Sequence, residues 1–466
     1  MYKKGKIDMK HYFVGVDIGT SNVVMVVGSK TDSSPLFNIE GVSVQPSKKS
    51  VLDGLVSNIE VVGNAIKTAK KELETELGIK IEQAYAGIGS SYARSVKIED
   101  WVPVKNKRTG VIGKEDILIL EQIFKQVKTE NRSEVIHGIT PLCYYVNGEK
   151  RTLDPVGQKG SWLKGDYLFS ICISEHLRLV KMAFVKAGID LISIFVNPMI
   201  TSPLLLSEQE AKEGAVIVDI GGGITDITVV KEGRVQYFVS IPIGAESIDS
   251  DLKSILPPNS NIASVKHKYG HAISSQVPDN QVIPIGNKNI IHRNIATVIE
   301  ARLMDIAEMV LSEVRQAGFD GLVNAGIVLT GGSVAIEGID LLFERETSLP
   351  CRKATQLYGL TEGAKERVAT FGQQTAVAIM MNAANFAPTI VVEQPRVETA
   401  VQRVVENAPT QQPQSSSLTE AEAEVEKIEQ KEPQKQEKRK PEPKSRGNRI
   451  GSFIKGLMGY SDPTKK

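Results

Sequence analysis

The residues of this chain best placed to do chemistry are suited to holding dense negative charge. Asp17 ends an apolar run and is followed by Gly19, Thr20 and Ser21; Asp219 ends a second run and is followed by Gly221, Gly222 and Gly223, with Thr225 beyond them. A chain of phosphates needs backbone N–H groups brought close, which glycine permits and a Cβ obstructs. A carboxylate at such a turn can hold a hydrated magnesium ion, which keeps several of its waters. Gly331, Gly332 and Ser333 form a third turn, bare backbone on which a flat base could lie. Each turn alone reads more readily as a tight hairpin than as a phosphate site. None is a P-loop, because GxxxxGK[ST] does not occur.

The elements that must position these turns repeat. Residues 13–27 (FVGVDIGTSNVVMVV), 215–230 (AVIVDIGGGITDITVV) and 325–338 (AGIVLTGGSVAIEG) each run an apolar strand into a glycine turn. The first two leave the turn as a second β-rich run, the pattern of a hairpin. Their repetition about 200 residues apart predicts two halves of similar build. Helical spacing of apolar residues over 61–77, 176–187 and 295–317 intervenes. Strands alternating with helices predict an α/β fold. At 466 residues the chain exceeds a single core, which stops growing at roughly 250 to 300 residues, so two or more domains are expected.

Composition narrows the class. Apolar content of 41% and charged content of 24% are those of a folded globular protein. Cys143, Cys172 and Cys351 match neither a zinc-ligand spacing nor a disulfide framework, and the six histidines show no metal spacing. The basic start reaches Asp17 after too few apolar residues for a secretory signal. The longest uncharged run, 191–207, contains Pro198 and Pro203 and falls short of the ~20 residues of a spanning helix, so it is expected in the core. Any membrane contact is therefore expected to be peripheral.

Beyond Phe386 the character changes to Pro, Gln, Glu, Lys and Ser, a composition that cannot offset the entropy of ordering, and 386–446 reads as a disordered linker. It separates an acidic stretch, 420–429, from a basic one, 438–444. Without aromatic interleaving, the basic stretch does not point to nucleic acid. Apolar patterning returns over 447–460, where Ile450, Phe453, Ile454, Leu457 and Met458 fall on one helical stripe with Lys455 beside it. After a disordered linker and with basic flanks, such a stripe suits an anionic membrane surface.

In their order and spacing, the three glycine turns resemble the phosphate-1, phosphate-2 and adenosine motifs of the actin, Hsp70 and sugar-kinase superfamily. Within it, Leu153-Asp154-Pro155-Val156-Gly157 after Tyr144 and Gly148 resembles a signature of the FtsA family of bacterial cell-division proteins. So do Ile241-Pro242-Ile243-Gly244, Lys266-His267-Lys268-Tyr269-Gly270 and Ile299-Glu300-Ala301-Arg302, and the tail matches the family's membrane-targeting segment. The resemblance covers about residues 11–385 and the tail.

It implies an actin-like α/β fold of two domains with two subdomains each: a first core from 1–83, 169–198 and 359–385, an inserted FtsA-type subdomain at 84–168, a second core from 199–236 and 294–358, and an outer subdomain at 237–293. It implies ATP with Mg2+, held by Asp17, Gly19, Thr20, Ser21, Asp219, Gly221, Gly222, Gly223, Thr225, Lys266, Gly331, Gly332 and Ser333, the metal bound to Asp17 and Asp219 through water. The implied partners are the FtsZ C-terminal peptide on the outer subdomain, further copies in a filament, later division proteins and anionic lipid, at the cytoplasmic face of the division septum. Two departures bear on turnover. Ile224 stands where relatives carry Thr or Ser, and Ala263 and Ser264 precede Lys266 where relatives carry a ribose-binding Glu. At most a slow ATPase is expected. Asn197 sits where relatives orient water, and reads equally as a buried turn cap. A metabolite kinase would have no use for the tail, and an Hsp70-like chaperone would need a β-rich peptide domain for which the linker leaves no room.

Overall fold

The computed structural model describes residues 10–385. The linker and the tail stripe at 447–460 lie outside the described residues. The first half opens with β1 (Lys10–Ile18), β2 (Asn22–Thr31) and β3 (Asn38–Pro46), an antiparallel meander in which the valines of β2 are buried on both faces. A small hairpin follows, β4 (Val51–Leu52) and β5 (Leu55–Val56), and then helix α1 (Ile59–Leu77). Asn58 caps α1 by accepting from the Val61 amide, and Gly78 ends it in the left-handed region. Strand β6 (Gln83–Ile88) returns parallel to β1.

The chain then leaves this sheet for another, built from β7 (Ala93–Pro103), β8 (Glu134–Val146), β9 (Lys150–Thr152) and β10 (Trp162–Ile173), with α2 (Lys114–Gln126) packed on it. Its order is β7-β10-β8-β9, and Phe124, Tyr167 and Phe169 fill a separate small core. Helix α3 (Ser174–Ala187) and β11 (Asp190–Val196) bring the chain back, β11 pairing parallel with β6. The uncharged run at 191–207 is largely buried, as β11, a short 3-10 turn and α4 (Ser202–Leu205). Among the described residues no helix is long and apolar enough to cross a membrane.

The second half repeats the first. After α5 (Glu208–Glu213) come β12 (Ala215–Ile220), β13 (Thr225–Lys231) and β14 (Arg234–Ile241). Next are α6 (Ala245–Ile255), α7 (Ile262–Tyr269), the hairpin β15 (Val282–Ile285) and β16 (Lys288–Ile291), and the long α8 (His292–Gln316). Then β17 (Gly326–Thr330), α9 (Ile339–Thr347), β18 (Cys351–Lys353), α10 (Glu362–Arg367) and α11 (Gln374–Ala383) complete the described chain. The sheet orders β3-β2-β1-β6-β11 and β14-β13-β12-β17-β18 match strand for strand, with the first pairings antiparallel and the last two parallel. This is the duplication that the glycine turns predict. The two faces of β12 serve different cores: Val216, Val218 and Ile220 pack under α8 and α9, whereas Ala215 and Ile217 join the core of the first half.

Candidate functional site

The β1–β2 and β12–β13 turns are built alike. Gly19 donates its amide to the Asn22 carbonyl at 2.9 Å, and Gly221 donates to the Ile224 carbonyl at 3.0 Å. Asp17 and Asp219 occupy equivalent places before these turns, paired across their hairpins with Val24 and Asp226. Directly opposed residues share a face, so Asp226 projects with Asp219. The turns face each other so closely that a Cβ on Gly222 would come within 2.4 Å of Ser21 Oγ. Between them is a cavity of about 290 Å³.

The lining contains Asp17, Gly19, Thr20, Ser21, Asp219, Gly221, Gly222, Lys266, Gly331, Gly332 and Ser333, all singled out by the sequence. Gly331 has φ +92°, and a Cβ there would stand 2.4 Å from Asp219 Oδ1; Gly332 faces open space. Gly223 adjoins the lining, opposite Thr20 and Asp53. Thr225 does not line the cavity. It is fully buried and donates its hydroxyl to the Ile243 carbonyl at 2.8 Å, because strand alternation turns it away from the face that carries Asp226. Lys266 ion-pairs with Asp249 at 2.5 Å at the cavity wall.

Several lining residues were not among the expected nucleotide contacts: Asn22, Val24, Asp226, Ala245, Gly372 and Thr375. Asp226 was legible as the cross-hairpin partner of Asp219. Thr375 comes from α11, whose body packs in the first-half core, yet its hydroxyl donates to Asp219 Oδ2 at 3.0 Å. Beside it Gln374 accepts from Thr330 Oγ1 at 2.6 Å and donates to the Ala354 carbonyl at 2.7 Å, so the start of α11 is tied to the second half. No local pattern marks such long-range partners.

Three carboxylates therefore share one site, Asp226 buried and Asp17 and Asp219 partly buried at the cavity. Burial pushes Asp17 up to about 7, the nearby Asp219 adds to the rise, and the Asn197 amide donating at 3.2 Å works against it. Burial and then Asp226 push Asp219 up to about 6, opposed by Thr375. Asp226 is also raised by burial, opposed by Ser90. Such a site has a strong electrostatic use for a cation. Among the described residues no three ligating groups converge on one point, so a hydrated ion fits better than one stripped to protein ligands. Asn197 Oδ1, buried and without a hydrogen-bond partner, stands beside Asp17. The residues thus fit a phosphate chain with its hydrated magnesium: turn amides for the one, Asp17 and Asp219 for the waters of the other.

The profile of the family described as "Cell division protein FtsA" matches residues 216–384. Proteins called cell division protein FtsA are similar over most of their length: that of Pseudomonas aeruginosa is 27% identical over 368 residues, 77% of this chain and 87% of its own. That of Neisseria meningitidis is 28% identical over 380 residues, 80% of this chain and 90% of its own. That of Bacillus subtilis is 28% identical over 334 residues, 70% of this chain and 74% of its own. Among solved structures, the PilM–PilN type IV pilus biogenesis complex superposes with a TM-score of 0.55 at 14% identity, covering 79% of this chain and 98% of that one, a likeness of fold.

Proposed function

We propose that the chain, similar over most of its length to cell division protein FtsA of several bacteria and matched by that family's profile over 216–384, is an actin-like member of that family that binds ATP with Mg2+ between its two halves, polymerises, and ties FtsZ polymers to the cytoplasmic face of the membrane at the septum. The observation that carries the nucleotide reading is the pairing of two equivalent glycine turns, each following an aspartate, across a cavity lined by three carboxylates. When bound, Mg2+ would supply charge neutralisation to the phosphates. The chain's own part is to present the amides of both turns, to hold Asp17 with Asn197 and Asp219 with Thr375, and to offer Gly331 and Gly332 as a flat floor for the base.

The division into cores 1–83, 169–198 and 359–385 and 199–236 and 294–358, with inserts 84–168 and 237–293, is proposed with it, supported by the separate apolar core of the sheet β7–β10. The insert starts are moved past β6 (Gln83–Ile88) and β14 (Arg234–Ile241), which pair in the sheets of the two cores. The outer insert is the proposed seat of the FtsZ C-terminal peptide, and the sheet β7–β10 the proposed surface for self-contact and later division proteins, both on family resemblance. The segment 447–460 is the proposed membrane anchor, supported by its apolar stripe of Ile450, Phe453, Ile454, Leu457 and Met458.

Co-sedimentation of the full chain with purified FtsZ and anionic vesicles, with and without ATP, tests the whole reading. Recovery of FtsZ on vesicles only when this protein is present is the expected result. Failure of the intact chain to bind an FtsZ C-terminal peptide in low salt with ATP would remove FtsZ from its direct partners.

A further inference from the structure

Ile224 is buried, yet it belongs to none of the three apolar cores. It stands at the end of the β12–β13 turn, in the second half, and its Cδ1 is directed at two glycines of the first half. A Cβ on Gly89 would meet that Cδ1 at 2.7 Å, and one on Gly54 would meet it at 3.3 Å. The two glycines form a socket with room for this methyl group and for little else.

The socket is held in place by its own supports. Gly54, with φ +82°, follows Asp53, with φ +48°, in the tight turn between β4 and β5. Ser91 Oγ donates to the Asp53 carbonyl at 2.6 Å. Beneath it the buried His176 packs edge-on against Tyr92, with ring centroids 5.2 Å apart, and its imidazole reaches the Gly54 backbone. Gly89 directly precedes Ser90, which binds Asp226 beside Ile224. The tip of the small hairpin is therefore tied to the segment after β6, and that segment in turn to Asp226 of the second half.

We propose that Ile224 is a latch, an apolar knob that seats between Gly54 and Gly89 when the cleft is closed and slows the exchange of bound nucleotide. This rests on the nucleotide reading of the cavity. Gly54 and Gly89 both belong to the first half and cover the Cδ1 end of the side chain, so separation of the halves removes that cover. Separation of the halves wets it. Exposing roughly half of an isoleucine side chain on opening is enough to change an equilibrium or a rate by about tenfold. Ile224 is in this sense a positioning residue, acting on the cleft and not on the reacting atoms.

The experiment follows release of a fluorescent ATP analogue from the full chain with Mg2+, chased with unlabelled ATP. Ile224→Ala is expected to release it about tenfold faster than the parent, Ile224→Val, which loses the Cδ1, to fall between them, and Gly89→Ala, which fills the socket from the other side, to accelerate release with Ile224 untouched. Thermal unfolding without nucleotide checks that each variant folds; if Ile224→Ala does not, Ile224→Val and Gly89→Ala carry the test. Parent-like release from folded variants would overturn the latch and leave the nucleotide reading standing. Absence of analogue binding by the parent chain would overturn both.

Discussion

Ser90 gives both its backbone N–H and its hydroxyl to the carboxylate of Asp226, at 3.1 and 2.7 Å, although 136 positions separate them. Ser90 follows β6 in the first sheet and Asp226 lies on β13 in the second, so one buried carboxylate clasps the two halves at the inner wall of the cavity. The clasp is backed by others. Ser95 Oγ bridges the Phe238 amide and carbonyl, and Arg234 donates to the carbonyls of Pro141 and Leu142, which holds the sheet β7–β10 against β14.

Ser90→Ala removes a hydrogen bond to a charged group, worth roughly 1.5 to 3 kcal/mol when buried. We expect a loss of unfolding free energy of about that size in denaturant titrations, together with weaker nucleotide binding. A variant as stable as the parent would show that water replaces the hydroxyl at Asp226.

The raised carboxylates make stability depend on pH. Asp17 sits at about 7 in the folded chain against an ordinary 3.8, so the folded state holds its proton more tightly. The stability this contributes is complete below the ordinary value and is lost as pH rises through about 7. Without nucleotide, stability should therefore fall across this window, and Asp17→Asn should flatten the slope. A magnesium ion competes with the same protons. Stabilisation by ATP with Mg2+ should be largest near about pH 8 and shrink toward about pH 5.5, as read from thermal melts. A gain independent of pH would separate the metal from Asp17 and Asp219.

What the sequence made legible follows from where the chemistry is local. A strand, an aspartate and a glycine turn are contiguous, so Asp17 with Gly19 and Asp219 with Gly221 could be read directly, and their repetition announced the matching sheets. Asp226 was within reach, since a hairpin that closes over 221–224 must place it opposite Asp219. Thr225, one position earlier, was assigned by proximity to the glycines, and strand alternation turned its hydroxyl to Ile243 instead. Thr375, Ser90 and the glycine socket around Ile224 arise from segments far apart in the chain. Their packing has no signature in any one segment.

Hydrolysis should be slow. Ile224 places an apolar side chain at the phosphate end of the cavity, where it can neither donate to a phosphate nor hold an attacking water. Turnover below the roughly 1 to 1,000 per second typical of enzymes is expected, measured as phosphate release with FtsZ present and absent. A rate within that range would show that another group, with Asn197 the first to test, positions the water unaided.

The membrane contact should depend on assembly. Five apolar side chains, each burying one side in lipid, contribute a few kcal/mol if full burial of each is worth roughly 1.5 to 3 kcal/mol, and ordering the segment subtracts from that. A single tail then binds marginally and reversibly. A polymer presents many tails, so each later contact is intramolecular, and avidity can exceed single-tail affinity by about 10² to 10⁴ when linkers span the distance. If flexible, a linker of roughly 60 residues would have a root-mean-square reach of about 40 to 50 Å, enough to do so, and more if its prolines and charges extend it. Phe453→Glu or Leu457→Glu should release the protein from anionic vesicles and leave nucleotide binding intact. A variant blocked in body-to-body contact should be released as well, with its tail unchanged. If a strictly monomeric variant sediments with vesicles as completely as the parent, the anchor holds by itself and the polymer contributes nothing to it.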